Sequence, residues 1–235
     1  MNLTNNPAID FSPVWLPDYD SIAYNSGIGG NAEIFLLDLQ TMQSRNLTNY
    51  PAKDWEPDWS PDGSQIVFFT DRDGFSEIYT LMLDTLATQR LTTSDFYERQ
   101  PTWSPDGTQI AFSSDQEGDW EIFLMDKDGR NVVNLTNNEV FDLGPSWSPD
   151  GSMLAFASKL DDHWEIYRMD VTTKEVTRLT NNPSNDLNPV WSPDGRQIAF
   201  QSNRDGNLEI YIMNIDGSEQ DNITNHPAND YNPDW

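Results

Sequence analysis

Six acidic residues stand one per 44-residue interval: Asp10, Asp54, Glu98, Asp142, Asp186 and Asp230. Carboxylates at the same point of every unit of a closed structure form a ring. Such a ring of oxygens suits a hard cation such as Ca²⁺, or a cationic group of a partner. The competing use of the same residues is local, since an Asp ahead of a strand caps its own loop by accepting backbone N–H groups. Five glutamates, Glu33, Glu77, Glu121, Glu165 and Glu209, recur at a second fixed point, each followed by Ile. Carboxyl catalysis needs inequivalent members with different pKa values, so this repetition assigns them to hydrogen bonds between neighbouring units. The chain has no Cys, and its two His, His163 and His226, are far apart in sequence. Thiolate chemistry is excluded and a His-based metal site disfavoured; no cofactor is required, and Ca²⁺ is the one cation that the acidic ring suggests. Asp71-Arg72-Asp73-Gly74 begins like a calcium loop but lacks its full spacing and final Glu. It reads as a hairpin turn.

Aromatic residues break the repeat. Trp55, Tyr97, Phe141 and Tyr231 fall in the longer connections and Trp120 and Trp164 in the shorter ones. Rings exposed beside acids suit a peptide segment carrying Lys or Arg, or a sugar stacked on an indole. The same rings can instead cover the ends of the sheets.

The frame that positions these residues is set by tryptophan. Trp15, Trp59, Trp103, Trp147, Trp191 and Trp235 follow one another at intervals of 44 without insertion or deletion, the mark of stacked supersecondary units. Most are followed by Ser-Pro-Asp-Gly, a type I turn in which Pro fixes φ at the second position. Runs such as Gln109-Ile110-Ala111-Phe112 are too short for helices and rich in β-formers. Four short strands per unit, with sheets that must cover each other's apolar faces, make an all-β propeller. The Trp residues then pack between blades and offer their indole N–H groups as donors. The Leu/Ile-Thr-to-Trp segment occurs six times and the hairpin unit five. This favours one domain over residues 1–235, of five blades, with terminal segments 1–14 and 222–235 closing the ring. The alternative is six blades, the last incomplete, which leaves unpaired strand edges.

Asp54-Trp55-Glu56-Pro57-Asp58-Trp59-Ser60-Pro61-Asp62-Gly63, followed by Ile66-Val67-Phe68, Glu77-Ile78-Tyr79 and Leu91-Thr92, resembles the WD-type propeller repeat of the TolB-like family. The likeness covers essentially the whole chain. The first unit departs from it, with Leu16-Pro17-Asp18-Tyr19 in place of the turn and Gly27-Ile28-Gly29-Gly30 in place of an acidic loop. The resemblance implies protein binding rather than a reaction, and a periplasmic or extracellular setting, although no signal peptide is visible.

Charge narrows the partners. With 13 Lys+Arg against 39 Asp+Glu the formal charge is −26, so nucleic acid is disfavoured and a cationic protein or peptide favoured. Aromatic content of 12% separates the chain from disordered acidic sequences. No run is long and apolar enough for membrane insertion. The leading expectation is therefore a non-catalytic binding or scaffold propeller. Its alternatives are a cation- or carbohydrate-binding module, a recently amplified or engineered repeat with no specific ligand, and a glycosidase with two or three inequivalent channel carboxylates. Oligomeric state is not legible.

Overall fold

In the computed structural model, which describes residues 3–17, 20–160 and 162–235, the Ser-Pro-Asp-Gly segments close tight turns. The Gly63 amide donates to the Ser60 carbonyl at 2.8 Å, with Gly63 at φ 69°, a conformation that favours glycine. Asp62 accepts the Ser60 hydroxyl at 2.7 Å and the Ser64 amide at 3.0 Å. These bonds hold its carboxyl down at about 2. Of the divergent first turn, Asp18 and Tyr19 lie outside the described residues.

Between the turns the β-rich runs pair as antiparallel meanders. The first sheet is β1 (Asp10–Trp15), β2 (Ser21–Ser26), β3 (Glu33–Asp38) and β4 (Gln43–Asn46). The second is β5 (Asp54–Trp59), β6 (Gln65–Thr70), β7 (Glu77–Met82) and β8 (Thr88–Arg90). The third is β9 (Glu98–Trp103), β10 (Gln109–Ser114), β11 (Glu121–Asp126) and β12 (Val133–Asn134). The fourth is β13 (Asp142–Trp147), β14 (Met153–Ser158), β15 (Glu165–Asp170) and β16 (Val176–Arg178). The fifth is β17 (Asp186–Trp191), β18 (Gln197–Ser202), β19 (Glu209–Asn214) and β20 (Asp221–Asn222). These are five blades of a propeller, and the described residues contain no helix. Register pairs Asp54 with Thr70 and Thr70 with Glu77. The starts of the inner strands and the hairpins after each second strand therefore share one face, called upper here.

Each blade buries its two faces against its neighbours, and Trp is the main wedge. Trp103, 5% exposed, packs with Val67, Phe69, Ile78 and Leu91 of the second blade and Ile110 and Phe112 of its own. Trp59, Trp147 and Trp191 fill the corresponding cores. Burying each such side chain stabilises by about 1.5–3 kcal/mol. The indole of Trp191 donates to the Ser146 carbonyl at 3.1 Å and that of Trp235 to the Val190 carbonyl at 3.2 Å. The indole N–H groups of Trp59, Trp103 and Trp147 are buried without a hydrogen-bond partner, so packing rather than bonding explains the recurrence of Trp.

The seam is closed at the axis. Residues 230–235 form no strand, but they repeat the contacts of an inner strand. The Asp230 amide donates to the Leu208 carbonyl at 2.8 Å, as the Asp186 amide does to that of Trp164. Asp234 accepts the Trp15 amide at 3.0 Å, as Asp58 accepts that of Trp103 at 2.7 Å. Five sheets thus surround an axis lined by six inner segments. Of the terminal segments, residues 10–14 lie in β1 and residue 222 ends β20.

Candidate functional site

Every inner strand bulges at the same place. Pairing slips between Phe11 and Val14, Trp55 and Asp58, Leu143 and Ser146, and Leu187 and Val190. A bulge re-aims the side chain it carries, and the Pro that follows has no N–H to lose from the ladder. The bulged residues are Ser12, Glu56, Gln100, Gly144 and Asn188, and Asn232 takes the same place in the final segment; all six have φ between 48° and 65°. A left-handed non-glycine residue costs roughly 1–2 kcal/mol, and such positions gather at functional sites. All six line one cavity of about 160 Å³ on the axis, together with the prolines that follow five of them. The backbone positions are equivalent; the side chains are not.

Glu56 is the one carboxylate among those six. Burial pushes it up to about 7, against the Arg99 charge and a bond from the Gln100 amide. Around it Asn232 donates to the Ser12 hydroxyl at 3.1 Å and Asn188 to Gln201 at 3.3 Å. Two further carboxyls lie along the inner segments. Burial raises Asp58 to about 6, with Asp234 adding repulsion, and raises Asp234 to about 6. The cavity lining therefore offers one carboxyl, Glu56, raised by burial, within a set of amides and a hydroxyl.

The acids expected as a ring are placed differently. Asp54, Asp142 and Asp186 are fully buried and Glu98 is 3% exposed, and the channel wall is built two and three residues further along. Asp10, Glu98, Asp142 and Asp186 each accept a bond from the side chain four residues earlier: Asn6 at 2.9 Å, Ser94 at 3.0 Å, and Asn138 and Asn182 at 2.6 Å. Arg72 reaches Asp54 at 2.9 Å and Arg204 reaches Asp186 at 2.9 Å. Burial raises Asp54 and Asp142, and pushes Glu98 up to about 7. Asp230 is half-buried. Among the described residues no three His, Cys, Asp or Glu side chains stand together to hold a metal ion.

The TolB beta propeller domain model matches residues 1–143 and 134–235. The chain belongs to the TolB beta propeller domain family. Solved structures agree with this. TolB from Acinetobacter baumannii is 28% identical with a TM-score of 0.79, over 89% of this chain and 53% of that one. A protein assigned as TolB from Agrobacterium tumefaciens is 25% identical with a TM-score of 0.83, over 92% and 81%. An oligogalacturonate lyase solved with manganese shares the fold at 19% identity and a TM-score of 0.72, over 96% and 67%. No curated protein matches the sequence. The chain thus spans about half the length of the Acinetobacter TolB.

In this TolB-type propeller the repeated glutamates fasten each third strand to the crossing that leads to the next blade. Glu77 accepts the Thr92 hydroxyl at 2.7 Å, the Ser94 amide at 3.1 Å and Arg90 at 2.6 Å. Glu33 makes equivalent bonds to Thr48 and Tyr50, Glu121 to Thr136 and Asn138, Glu165 to Thr180 and Asn182, and Glu209 to Thr224 and His226. The aromatic candidates divide. Tyr97, Phe141 and Tyr231 are exposed at 42%, 44% and 56%, whereas Trp55 stacks on Phe69 at 5.1 Å and Trp164 packs on the core of the last two blades. Trp120 lies under the Arg99 guanidinium at 5.2 Å, and Tyr97 meets Phe75 edge-on. Sequence reasoning missed the bulged ring. Its signal was the residue ahead of Pro in each inner segment, which changes from unit to unit while the Pro after it and the acid two places before it repeat.

Proposed function

We propose that this TolB-type propeller is a non-catalytic binding module that takes a cationic peptide or protein segment on its upper face, across the mouth of the channel. One observation carries the reading: six equivalent left-handed positions hold unlike side chains around a single carboxyl, Glu56. A symmetric scaffold given an asymmetric lining suits one asymmetric ligand. The upper loops add exposed Asp73, Asp95, Glu117, Glu139, Asp162 and Asp205, and a charge of −26 raises the encounter rate with cations. Hydrolysis of a glycoside needs an acid and a second carboxylate acting on the same bond, and the lining of the channel mouth supplies one carboxylate. A periplasmic or extracellular setting accords with the family.

The test is calorimetric titration of the full chain with hexalysine at low and physiological salt. Saturable binding that weakens with salt, and at least about threefold weaker binding by Glu56→Gln, supports the reading. Failure to bind at low salt, or binding indifferent to Glu56, overturns it.

A further inference from the structure

Two blades carry an arginine of their own in a socket on the upper face. Arg72 donates to Asp54 at 2.9 Å and to the Thr70 hydroxyl at 3.2 Å. Its guanidinium lies 4.7 Å from the Tyr79 ring and 5.6 Å from that of Phe68. In the fifth blade Arg204 repeats the arrangement, with Asp186 and the Ser202 hydroxyl both at 2.9 Å, Tyr211 at 4.5 Å and Phe200 at 5.4 Å. The socket is thus an acid, a hydroxyl and a Phe–Tyr pair, a combination that holds a planar cation by bidentate bonding and stacking.

The fourth blade has every wall of this socket. Asp142, Ser158, Phe156 and Tyr167 stand at the equivalent positions, 88 residues beyond those of the second blade. The Phe156 and Tyr167 centroids are 6.1 Å apart, against 6.0 Å for Phe68 and Tyr79 and 5.7 Å for Phe200 and Tyr211. Leu160 replaces the arginine, and its side chain does not fill the space: it is 59% exposed. A cavity of about 530 Å³ opens there, lined by Asp142, Phe156, Ser158, Tyr167, Leu160 and Val176 among others. Asp142 already takes Asn138 on Oδ2 at 2.6 Å. Asp186 shows that this oxygen has room for both, since its Oδ2 accepts Asn182 at 2.6 Å and Arg204 at 2.9 Å together. Exposed Glu139 on the cavity wall adds a second carboxylate. Val176 stands where Thr88 and Gln220 accept from the internal arginines, which leaves the outer wall apolar.

We propose that the cavity on the fourth blade is a socket for an arginine side chain supplied by a peptide or protein partner. This rests on the reading of the upper face as cation-seeking and names one contact of it. The internal arginines define the pose: guanidinium against Asp142 and Ser158, stacked over Phe156 and Tyr167, with the aliphatic stem beside Leu160 and Val176.

The test follows the Leu160 and Val176 methyl resonances of the full chain by NMR during titration with acetyl-arginine amide. Saturable shifts are expected, with acetyl-lysine amide binding about tenfold or more weakly. Asp142→Asn should weaken arginine binding at least about tenfold. Leu160→Arg, a change at an exposed position, should abolish it by filling the socket from within. Unmoved methyls at tens of millimolar acetyl-arginine amide, equal binding of the lysine derivative, or undiminished binding to Leu160→Arg overturns the proposal. Hexalysine separates the two readings. If it binds while acetyl-arginine amide leaves these methyls unmoved, the socket fails and the acidic face stands; the converse retains the socket and removes the wider face.

Discussion

Replacing Arg72 by Leu, the residue type that the fourth blade carries at Leu160, tests whether the internal arginines stabilise the chain by neutralising buried carboxylates. The Arg72 side chain is 9% exposed and that of Asp54 wholly buried. Removing one partner of such a pair costs about 3–5 kcal/mol. Lost stacking on Tyr50 and Tyr79, at 4.5 and 4.7 Å, adds about 1 kcal/mol, while water entering the opened socket offsets part of the sum. The expected net loss at pH 8 is about 3 kcal/mol, a fall in Tm of roughly 6–12 °C for a chain of this length. Burial already raises the Asp54 carboxyl, against the hydroxyl of Thr70 and the pull of Arg72. Without Arg72 it rises further, so the variant's folded state takes up this proton more readily and the loss is smaller at pH 5 than at pH 8. Calorimetric melts at both pH values would be made on wild type, Arg72→Leu and the double variant with Asp54→Asn. The double variant should recover most of the loss at pH 8. A loss below about 1 kcal/mol, or one equal at the two pH values, refutes the account.

Trp103→Ala should cost about 3–5 kcal/mol in denaturant unfolding, since it empties the centre of the second inter-blade core. Stability should also fall between pH 5 and 8. Glu56 and Glu98 titrate near 7 and Asp58 near 6, against about 4 unfolded. The folded state therefore binds extra protons from about pH 4 to 7, and stability present below that window is lost as pH rises through it. Carboxyls held low, Asp62 at about 2 among them, act oppositely but only below about pH 4, so a Tm that is flat or rising from pH 5 to 8 contradicts the burial. Glu56→Gln should raise stability at pH 8 by up to about 3 kcal/mol, the order of its shift from 4.5 to about 7 at 1.36 kcal/mol per unit, and leave it unchanged at pH 4. Millimolar CaCl₂ should move Tm no more than MgCl₂ at matched ionic strength, because among the described residues no three of the strand-start acids stand together and two of them already hold arginines. A calcium-specific rise of several degrees would restore the carboxylate ring.

The frame was legible because its causes are local and repeated. Trp at intervals of 44, Pro-Asp-Gly turns and short β-branched runs each constrain the backbone independently, and they agree. The closure was half legible. Counting segments showed one inner element too many, but only the bonds from Trp15 to Asp234 and from Trp235 to Val190 show where it goes. The site was the least legible part. Equal spacing places Asp54 and Asp142 at equivalent points but says nothing of depth, and the first residue of an inner strand faces the second strand's hydroxyls instead of the axis. The residue that does face the axis is two positions later, because a bulge interrupts the alternation that a strand pattern assumes. Glu56 and its counterparts were therefore hidden by a backbone irregularity rather than by weak chemistry.

Repetition and divergence do different work in this molecule. In a stacked array each unit contacts only its neighbours, so residues that serve an interface recur: the wedge tryptophans, the glutamates that fasten the crossings, and the turn aspartates. A ligand site feels no such pressure, and it shows as change at a point where the backbone stays the same. Two of the divergent positions line cavities. The bulged residue runs Ser, Glu, Gln, Gly, Asn, Asn around the axis, and the second residue after β2, β6, β10, β14 and β18 runs Ile28, Arg72, Gln116, Leu160, Arg204. At the second position the blades supply their own controls, because Arg72 and Arg204 show what the acid and ring pair hold when an arginine is at hand. The fourth blade keeps the acid, the hydroxyl and both rings yet offers Leu160. For stability alone, retaining a buried Asp142 without a cation is a cost. A cation arriving from a partner removes that cost on binding, and a −26 chain draws such a cation to the face on which the socket opens.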